Sequence, residues 1–118
     1  MSKVRVISQG TTSNYEAFSE LVKRMCAHVE EHEPGAEAYE CFADETSGQV
    51  LWHEMYQDAD AFLAHVQGLT DGGLMDELMK VYTIDKITSL VRLTDERITG
   101  LLEQFGAVQL HGVGGLVR

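Results

Sequence analysis

Residues 33–65 read EPGAEAYECFADETSGQVLWHEMYQDADAFLAH and contain a turn, two strands and the start of a helix. Pro34 and Gly35 mark the turn, because proline cannot continue a helix and glycine is common just after a helix end. Two runs rich in aromatic and apolar residues follow, separated by the polar residues 44–48. Asp58 is a favourable N-cap. The stretch therefore predicts a β-hairpin and a helix that folds back over it.

The residues before this stretch predict one strand and one long helix. Val4 and Val6 alternate with charged residues, which is typical of a strand at about residues 3–9. Ser13 precedes Glu16 by three residues, the spacing of a capping box. The apolar residues that then recur at helical spacing are Tyr15, Phe18, Leu21, Val22, Met25, Cys26 and Val29. We expect this amphipathic helix to end at Pro34.

The residues after the hairpin predict three more helices and two more strands. Phe62, Leu63, Val66 and Leu69 lie on the first helix, which Gly72 and Gly73 separate from a second helix carrying Leu74, Met75, Leu78 and Met79. Residues 81–93 are rich in Val, Ile, Thr and Tyr and predict a long fourth strand. Thr94 is expected to cap a C-terminal helix. The residues expected to form its buried stripe are Ile98, Leu101, Leu102 and Phe105. Val108 and Leu110 suggest a short last strand.

The predicted order is that of an α+β fold, a ferredoxin-like βαββαβ unit with an antiparallel sheet. We expect one domain over residues 1–118, in which residues 93–118 form an appended helix and tail. The third strand is apolar on both faces, with Leu51 and Met55 on one side and Val50, Trp52 and Tyr56 on the other. Helices on one side can cover only one face of a sheet. A homodimer with a sheet-on-sheet interior would cover the second face.

Charge and composition exclude several classes of partner. The formal charge is −10, from 19 acidic and 9 basic residues. This excess opposes binding to nucleic acid, which needs clustered Lys and Arg, and binding to anionic membrane surfaces. No apolar run approaches the roughly 20 residues that span a bilayer. The first ten residues lack a signal-peptide core, and Cys26 and Cys41 are expected as buried free thiols, so we expect a cytoplasmic protein.

The quoted stretch resembles the antibiotic biosynthesis monooxygenase (ABM) family of dimeric α+β barrels. The motifs are Glu-Pro-Gly at 33–35, Tyr-Glu at 39–40, Glu-x-Tyr-x-Asp at 54–58 and Ala-x-x-Ala-His at 61–65. The resemblance implies a homodimer in which two sheets form a barrel with a small cavity. It also implies oxygenation of a quinol or an aromatic polyketide without metal or flavin, or cleavage of haem. In the polyketide and haem branches of this family an Asn and a Trp recur, and the Trp of the haem enzymes lies on the helix after the third strand. Here the only asparagine, Asn14, is at the predicted start of a helix and the only tryptophan, Trp52, is on a strand, so haem degradation is not supported.

The resemblance and the residue pattern together suggest six site residues. His65 could deprotonate a phenol or hydroquinone, because a neutral imidazole acts as a base near pH 7. Glu54 would be the second catalytic group, with His65, Arg5, Arg92 or a tyrosine hydroxyl as its partner. The residues expected to contact the substrate are Tyr39, Trp52, Tyr56 and Phe42. Three of these residues also have a structural interpretation. His65 could be a hydrogen-bonded structural histidine, Glu54 could make an interface contact, and Trp52 could pack in the core.

No cofactor and no metal ion are expected from the sequence. His28 and His32 have the i, i+4 spacing of a metal pair, but no third ligand is evident. We therefore expect a cofactor-independent monooxygenase-like protein that acts on a small quinol or on an aromatic or polyketide phenol. The alternative is a homodimer of the same fold that binds small molecules or has only a structural role, without catalysis.

Overall fold

The computed structural model describes residues 3–118, which form four helices and a five-stranded sheet. The elements in chain order are β1 (Val4–Thr11), α1 (Tyr15–His32), β2 (Ala36–Ala43), β3 (Gln49–Tyr56), α2 (Ala59–Asp71), α3 (Leu74–Val81), β4 (Thr83–Ser89), α4 (Glu96–Gln104) and β5 (Val108–Gln109). The predicted ferredoxin-like α+β fold, with an extra C-terminal helix and short strand, is confirmed.

The sheet has the strand order β2-β3-β1-β4-β5. The first four strands are antiparallel, as predicted, but β5 pairs with β4 in parallel. The sheet is therefore mixed rather than wholly antiparallel. The connection between β4 and β5 is a crossover that contains α4. It returns the chain beside Thr88 and Ser89, so that β5 runs in the same direction as β4.

All four helices contribute to a core on one face of the sheet. One cluster joins α1, α2 and α3 to the strands and contains Phe18, Leu21, Met25, Val50, Trp52, Leu69, Leu78 and Tyr82. The second joins α2 and α4 to the strands and contains Val4, Val6, Tyr56, Phe62, Leu93, Ile98 and Leu102. Because side chains alternate along a strand, the helix-covered face carries Val50, Trp52 and Tyr56.

The opposite face of the sheet, which we call the open face, is not covered by any element within residues 3–118. Its apolar residues are Ile7, Phe42, Leu51 and Met55. β3 therefore carries apolar residues on both faces, as predicted. Helices cover only one of these two faces. None of the helices within residues 3–118 is long and apolar enough to cross a membrane.

Two of the predicted helix caps were wrong. The N-cap of α1 is Asn14, whose Oδ1 accepts from the Ala17 backbone N–H, and Ser13 is not the cap. The N-cap of α4 is Asp95 rather than Thr94. In both cases the side chain of the Asn or Asp one residue downstream accepts the capping hydrogen bond.

The predicted fourth strand over residues 81–93 was too long, because Val81 ends α3 and the chain leaves the sheet after Ser89. The Ser89 hydroxyl donates to the carbonyl oxygen of Val91 and holds this turn. Phe105 does not belong to the buried stripe of α4, since it is 48% exposed.

We predict that Gly10→Ala destabilises the fold by about 1–3 kcal/mol, the usual cost of overpacking. A Cβ atom at Gly10 would overlap the carbonyl oxygen of Thr83 and would lie 2.6 Å from the ring of Tyr82. Gly100→Ala is the control, because no heavy atom lies within 4 Å of a Cβ there and alanine favours the helix. Urea unfolding measures both variants; equal stability of the two would contradict the close packing at Gly10.

Candidate functional site

His65 lies on α2 and is 4% exposed, with its imidazole between two glutamates. Its Nδ1 is 2.8 Å from Oε1 of Glu33, and we assign the hydrogen bond as donated by Nδ1–H to the carboxylate. Glu33 is the C-cap of α1, where its backbone N–H donates to the carbonyl oxygen of Val29. The helix end therefore positions the carboxylate that orients His65.

Glu54 faces the other nitrogen of His65. Its Oε1 lies 3.6 Å from Nε2 of His65 and accepts a hydrogen bond of 2.6 Å from the hydroxyl of Tyr56. Glu54 and Tyr56 are two residues apart on β3, so both side chains point to the helix-covered face. Two of the partners predicted for Glu54, His65 and a tyrosine hydroxyl, are thus its neighbours.

Burial sets the protonation of this group of side chains. It raises the pKa of Glu54 to about 7, against the opposing effect of the Tyr56 hydrogen bond and of His53. Burial also lowers the pKa of His65, although the nearby Glu33 carboxylate acts in the opposite direction. A neutral His65 that donates through Nδ1 keeps a lone pair on Nε2. This nitrogen is therefore available as a hydrogen-bond acceptor.

Aromatic rings surround the imidazole. The ring centroid of Tyr39 lies 4.9 Å from that of His65, and the Tyr56 centroid lies 5.2 Å from it. Tyr39 also contacts Trp52, with centroids 5.1 Å apart. Burial raises the pKa of both tyrosine hydroxyls, so they remain protonated at neutral pH. These rings hold His65 in place and limit its access to water.

A cavity of about 290 Å³ lies between the sheet and the helices, next to His65 and Glu54. This volume is close to the lower limit of small-molecule pockets. The apolar part of its wall includes Val6, Trp52, Phe62, Leu69, Ile84 and Leu102. Met79 on α3 is 45% exposed and Phe105 after α4 is 48% exposed, so the cavity opens to solvent beside these two side chains.

The cavity beside His65 and Glu54 is separate from the barrel interior that the family resemblance implied. That resemblance placed a cavity inside a barrel made of two sheets. The cavity that His65 and Glu54 line is enclosed by the sheet and helices of one chain. The reason is the register of β2 and β3, which pairs Tyr39 with Glu54 and directs both toward the helices.

The structure brings five of the six predicted site residues together and separates the sixth. His65, Glu54, Tyr39, Trp52 and Tyr56 cluster on the helix-covered face. Phe42 lies on the open face, is 55% exposed and lines a shallow depression of about 580 Å³ there. Its strand position has the opposite parity to Tyr39, so Phe42 cannot reach the cavity.

Sequence reasoning missed the hydrogen bond of Glu33 to His65, and it missed the polar pair Ser8 and Tyr82, which lines the cavity. In the sequence, Glu33 stands out only as part of the Glu-Pro-Gly motif. Its position between the end of α1 and Pro34 could have indicated a fixed side chain, because the helix end and the proline restrict the backbone on both sides. Ser8 and Tyr82 come from distant elements, and no local pattern joins them.

The two histidines and two cysteines singled out in the sequence lie near the site without forming a metal centre. His28 and His32 stack with ring centroids 4.8 Å apart. Across residues 3–118, no group of three or more His, Cys, Asp or Glu side chains is placed to hold a metal ion. Cys26 and Cys41 are free thiols, as predicted, but they are half-buried rather than buried.

Several solved structures share this fold. MupZ from Pseudomonas fluorescens is 16% identical and superposes with a TM-score of 0.82 over 100% of this chain and 96% of that chain. SnoaB, a cofactor-independent oxygenase from Streptomyces nogalater, is 15% identical, with a TM-score of 0.66 over 81% of this chain and 99% of its own. A putative antibiotic biosynthesis monooxygenase from Caulobacter crescentus CB15 is 18% identical, with a TM-score of 0.67 over 78% and 91% of the two chains.

No curated protein matches the chain. The sequence model of the antibiotic biosynthesis monooxygenase family matches residues 7–69, from β1 to the buried end of α2. This match spans more than half of the 118 residues and includes Glu33, Glu54 and His65. The chain therefore belongs to the antibiotic biosynthesis monooxygenase family.

Proposed function

We propose that this protein is a cofactor-independent monooxygenase that acts on a small quinol or an aromatic phenol, with His65 as the general base. One observation carries the proposal: a buried imidazole is oriented by Glu33 through Nδ1 and borders an apolar cavity. This is the arrangement in which a carboxylate fixes the tautomer and orientation of a histidine base. The family membership and the fold shared with a cofactor-independent oxygenase support the same reaction class.

In the first step, Nε2 of His65 takes the proton of a phenolic hydroxyl. The resulting phenolate is electron-rich and transfers one electron to O₂. Recombination of the two radicals forms a carbon–oxygen bond and a hydroperoxide on the ring. The O–O bond then breaks: one oxygen atom stays on the ring, and the other leaves as water with two substrate hydrogens. A quinol and O₂ thus give a hydroxyquinone and water, and the substrate supplies all the electrons.

Glu54 is proposed as the second proton carrier. Its pKa of about 7 keeps the protonated and ionised carboxyl groups close in population at neutral pH. The carboxylate can accept a hydrogen bond from the substrate hydroxyl, and the acid can donate a proton to the departing peroxide oxygen. Tyr56 stabilises the ionised form through its 2.6 Å hydrogen bond. Tyr39 and Trp52 would form the aromatic wall that orients the ring of the substrate.

The alternative is a protein that binds small aromatic molecules without reaction. The cavity would serve either role, since it is apolar and lies at the low end of ligand-pocket sizes. The buried pair of His65 and Glu33 favours catalysis, because burying ionisable groups is costly and an apolar binding pocket does not need them.

We also propose that the protein is a homodimer in which the open faces of two sheets pack together. Ile7, Leu51 and Met55 would then leave water, together with the exposed ring of Phe42. Apolar patches of this kind on a sheet are typical of interfaces. Pairing of identical faces gives a closed two-fold arrangement.

We predict that His65→Ala lowers the rate of oxygen uptake at least 100-fold with those hydroquinones and naphthols that the wild type oxidises, the low end of a general-base contribution. Glu33→Gln should lower the rate by about 10–100-fold, because it weakens a charge-assisted hydrogen bond. His32→Ala is the control, since His32 is exposed on the same helix as Glu33.

The assay is an oxygen electrode, with ¹⁸O₂ labelling to confirm one labelled oxygen atom in the product. Absence of uptake by the wild type across the panel, or equal rates for wild type and His65→Ala, would contradict the proposed reaction. Binding without uptake would instead support the non-catalytic alternative.

We predict that the stability of the wild type falls with pH relative to Glu54→Gln, by about 2–3 kcal/mol between pH 5 and pH 8. The pKa of Glu54 is raised from 4.5 to about 7, so the native state binds the proton more tightly than the unfolded state does. Each pH increment in this interval therefore favours unfolding. Glutamine keeps an acceptor for Tyr56 and cannot ionise. Urea unfolding at several pH values measures the difference, and parallel curves would show that Glu54 is not perturbed.

We predict a mass of about 26 kDa by light scattering at micromolar concentration, twice the chain mass of 13.1 kDa. Leu51→Asp should shift the protein toward a monomer, because it places a charge on the open face. Thr46→Asp, in the exposed connection between β2 and β3, is the matched control and should remain dimeric. A wild-type mass of about 13 kDa would exclude the dimer.

A further inference from the structure

A second polar pair lines the cavity on β1 and at the end of α3. The hydroxyls of Ser8 and Tyr82 lie 3.1 Å apart and form a buried hydrogen bond. Both residues are buried and both line the same cavity as His65. Gly10 leaves the space that the Tyr82 ring occupies, since a Cβ atom there would lie 2.6 Å from it. The fold thus provides room for a hydroxyl pair in a cavity wall that is mostly apolar.

This pair has one hydrogen-bond donor more than it uses. Each hydroxyl carries one proton, and the bond between them needs only one of the two. Within residues 3–118, neither hydroxyl has another hydrogen-bond partner. Burial raises the pKa of Tyr82, so its hydroxyl remains a donor at neutral pH. A buried donor without an acceptor is unfavourable, and an acceptor atom on a bound molecule would satisfy it.

The His65 end of the cavity has the opposite requirement. Nδ1 of His65 donates to Glu33, so Nε2 presents a lone pair. Above pH 7, the ionised carboxylate of Glu54 adds further acceptor atoms. The His65 end can therefore accept a hydrogen bond from a hydroxyl group of a ligand. The Ser8–Tyr82 end can donate a hydrogen bond to an oxygen acceptor such as a carbonyl.

The strand register sets the separation of the two ends. Val6 pairs with Glu54 and Ser8 pairs with Trp52, so Ser8 and Glu54 are diagonal neighbours on one face. The Cα atoms of diagonal neighbours on adjacent strands lie about 7–8 Å apart. Neighbouring oxygens on a single ring are too close together to reach both ends, whereas oxygens at opposite edges of a fused ring system are far enough apart.

We propose that the Ser8–Tyr82 pair is a carbonyl-binding subsite and that the preferred ligand is a fused two- or three-ring hydroxyaryl ketone. Its phenolic hydroxyl binds at His65 and Glu54, and its carbonyl oxygen accepts from the Ser8–Tyr82 pair. Ser8 and Tyr82 are then specificity-determining residues. The proposal rests on the proposed function for the role of the His65 end, and it adds the second oxygen and its hydrogen-bond polarity.

The test compares two bicyclic phenols that differ in the carbonyl, 6-hydroxy-1-tetralone and 5,6,7,8-tetrahydro-2-naphthol. Binding is measured by isothermal titration calorimetry at pH 8 under argon, so that no oxygenation occurs. Quenching of Trp52, the only tryptophan and a cavity residue, reports the same event independently. We expect the wild type to bind the ketone about tenfold more tightly, the gain from one well-placed hydrogen bond.

The double variant Ser8→Ala/Tyr82→Phe removes both donors and should bind the two phenols within a factor of two. Each single variant keeps one donor and should retain part of the preference. Thr70→Val is the matched control: Thr70 also lines the cavity, but its hydroxyl already donates to the carbonyl oxygen of Val66. Circular dichroism and thermal unfolding confirm that each variant is folded.

Equal affinity of the wild type for the two phenols, binding of neither one, or a tenfold preference that persists in the double variant would overturn the subsite. Because the measurement excludes oxygen, its outcome is separate from that of the oxygen-uptake assay. A wild type that prefers the ketone but shows no oxygen uptake would support the subsite and contradict the proposed reaction.

Discussion

The burial of His65 between Glu33 and Glu54 is the interaction on which the site depends. Three ionisable side chains with exposures of 5–15% lie within hydrogen-bonding or near-contact distance of one another. Such a group is stable only when hydrogen bonds offset the loss of hydration. The Glu33 carboxylate bonds to Nδ1, and the Tyr56 hydroxyl bonds to Glu54. Within the described residues, Oε2 of Glu33 is buried without a hydrogen-bond partner, and Nε2 of His65 lies 3.6 Å from Oε1 of Glu54.

Three separate structural devices set this geometry. The C-terminal end of α1 places Glu33, and Asp58 caps α2 so that His65 follows two helical turns later on the inner side. The β2–β3 register pairs Tyr39 with Glu54. A slip of one residue in that register would turn Tyr39 and Glu54 to different faces. The site therefore requires the hairpin and both helix ends to be correct together.

The C-terminal segment contributes to the cavity even though the family match ends at residue 69. Leu101, Leu102 and Phe105 belong to the cavity wall and come from α4 and its cap. The fold shared with MupZ covers the whole chain and so includes this segment. Thus the family region supplies the ionisable groups, while α4 determines how far the cavity is closed.

The sequence by itself determined the order of the elements, the cap of α2 and the family, because local periodicity, turn residues and short motifs depend on neighbours in the chain. It also identified His65, Glu54, Tyr39, Trp52 and Tyr56, which share strand parity or a family motif. It did not show that Phe42 lies on the opposite face of the sheet from these residues, and it did not show that Glu33 contacts His65. Only the tertiary structure decided that Glu33 orients His65, that Ser8 bonds to Tyr82 and that one strand face lines a cavity. These contacts join residues 32 and 74 positions apart, and their geometry depends on sheet register and helix packing rather than on local sequence.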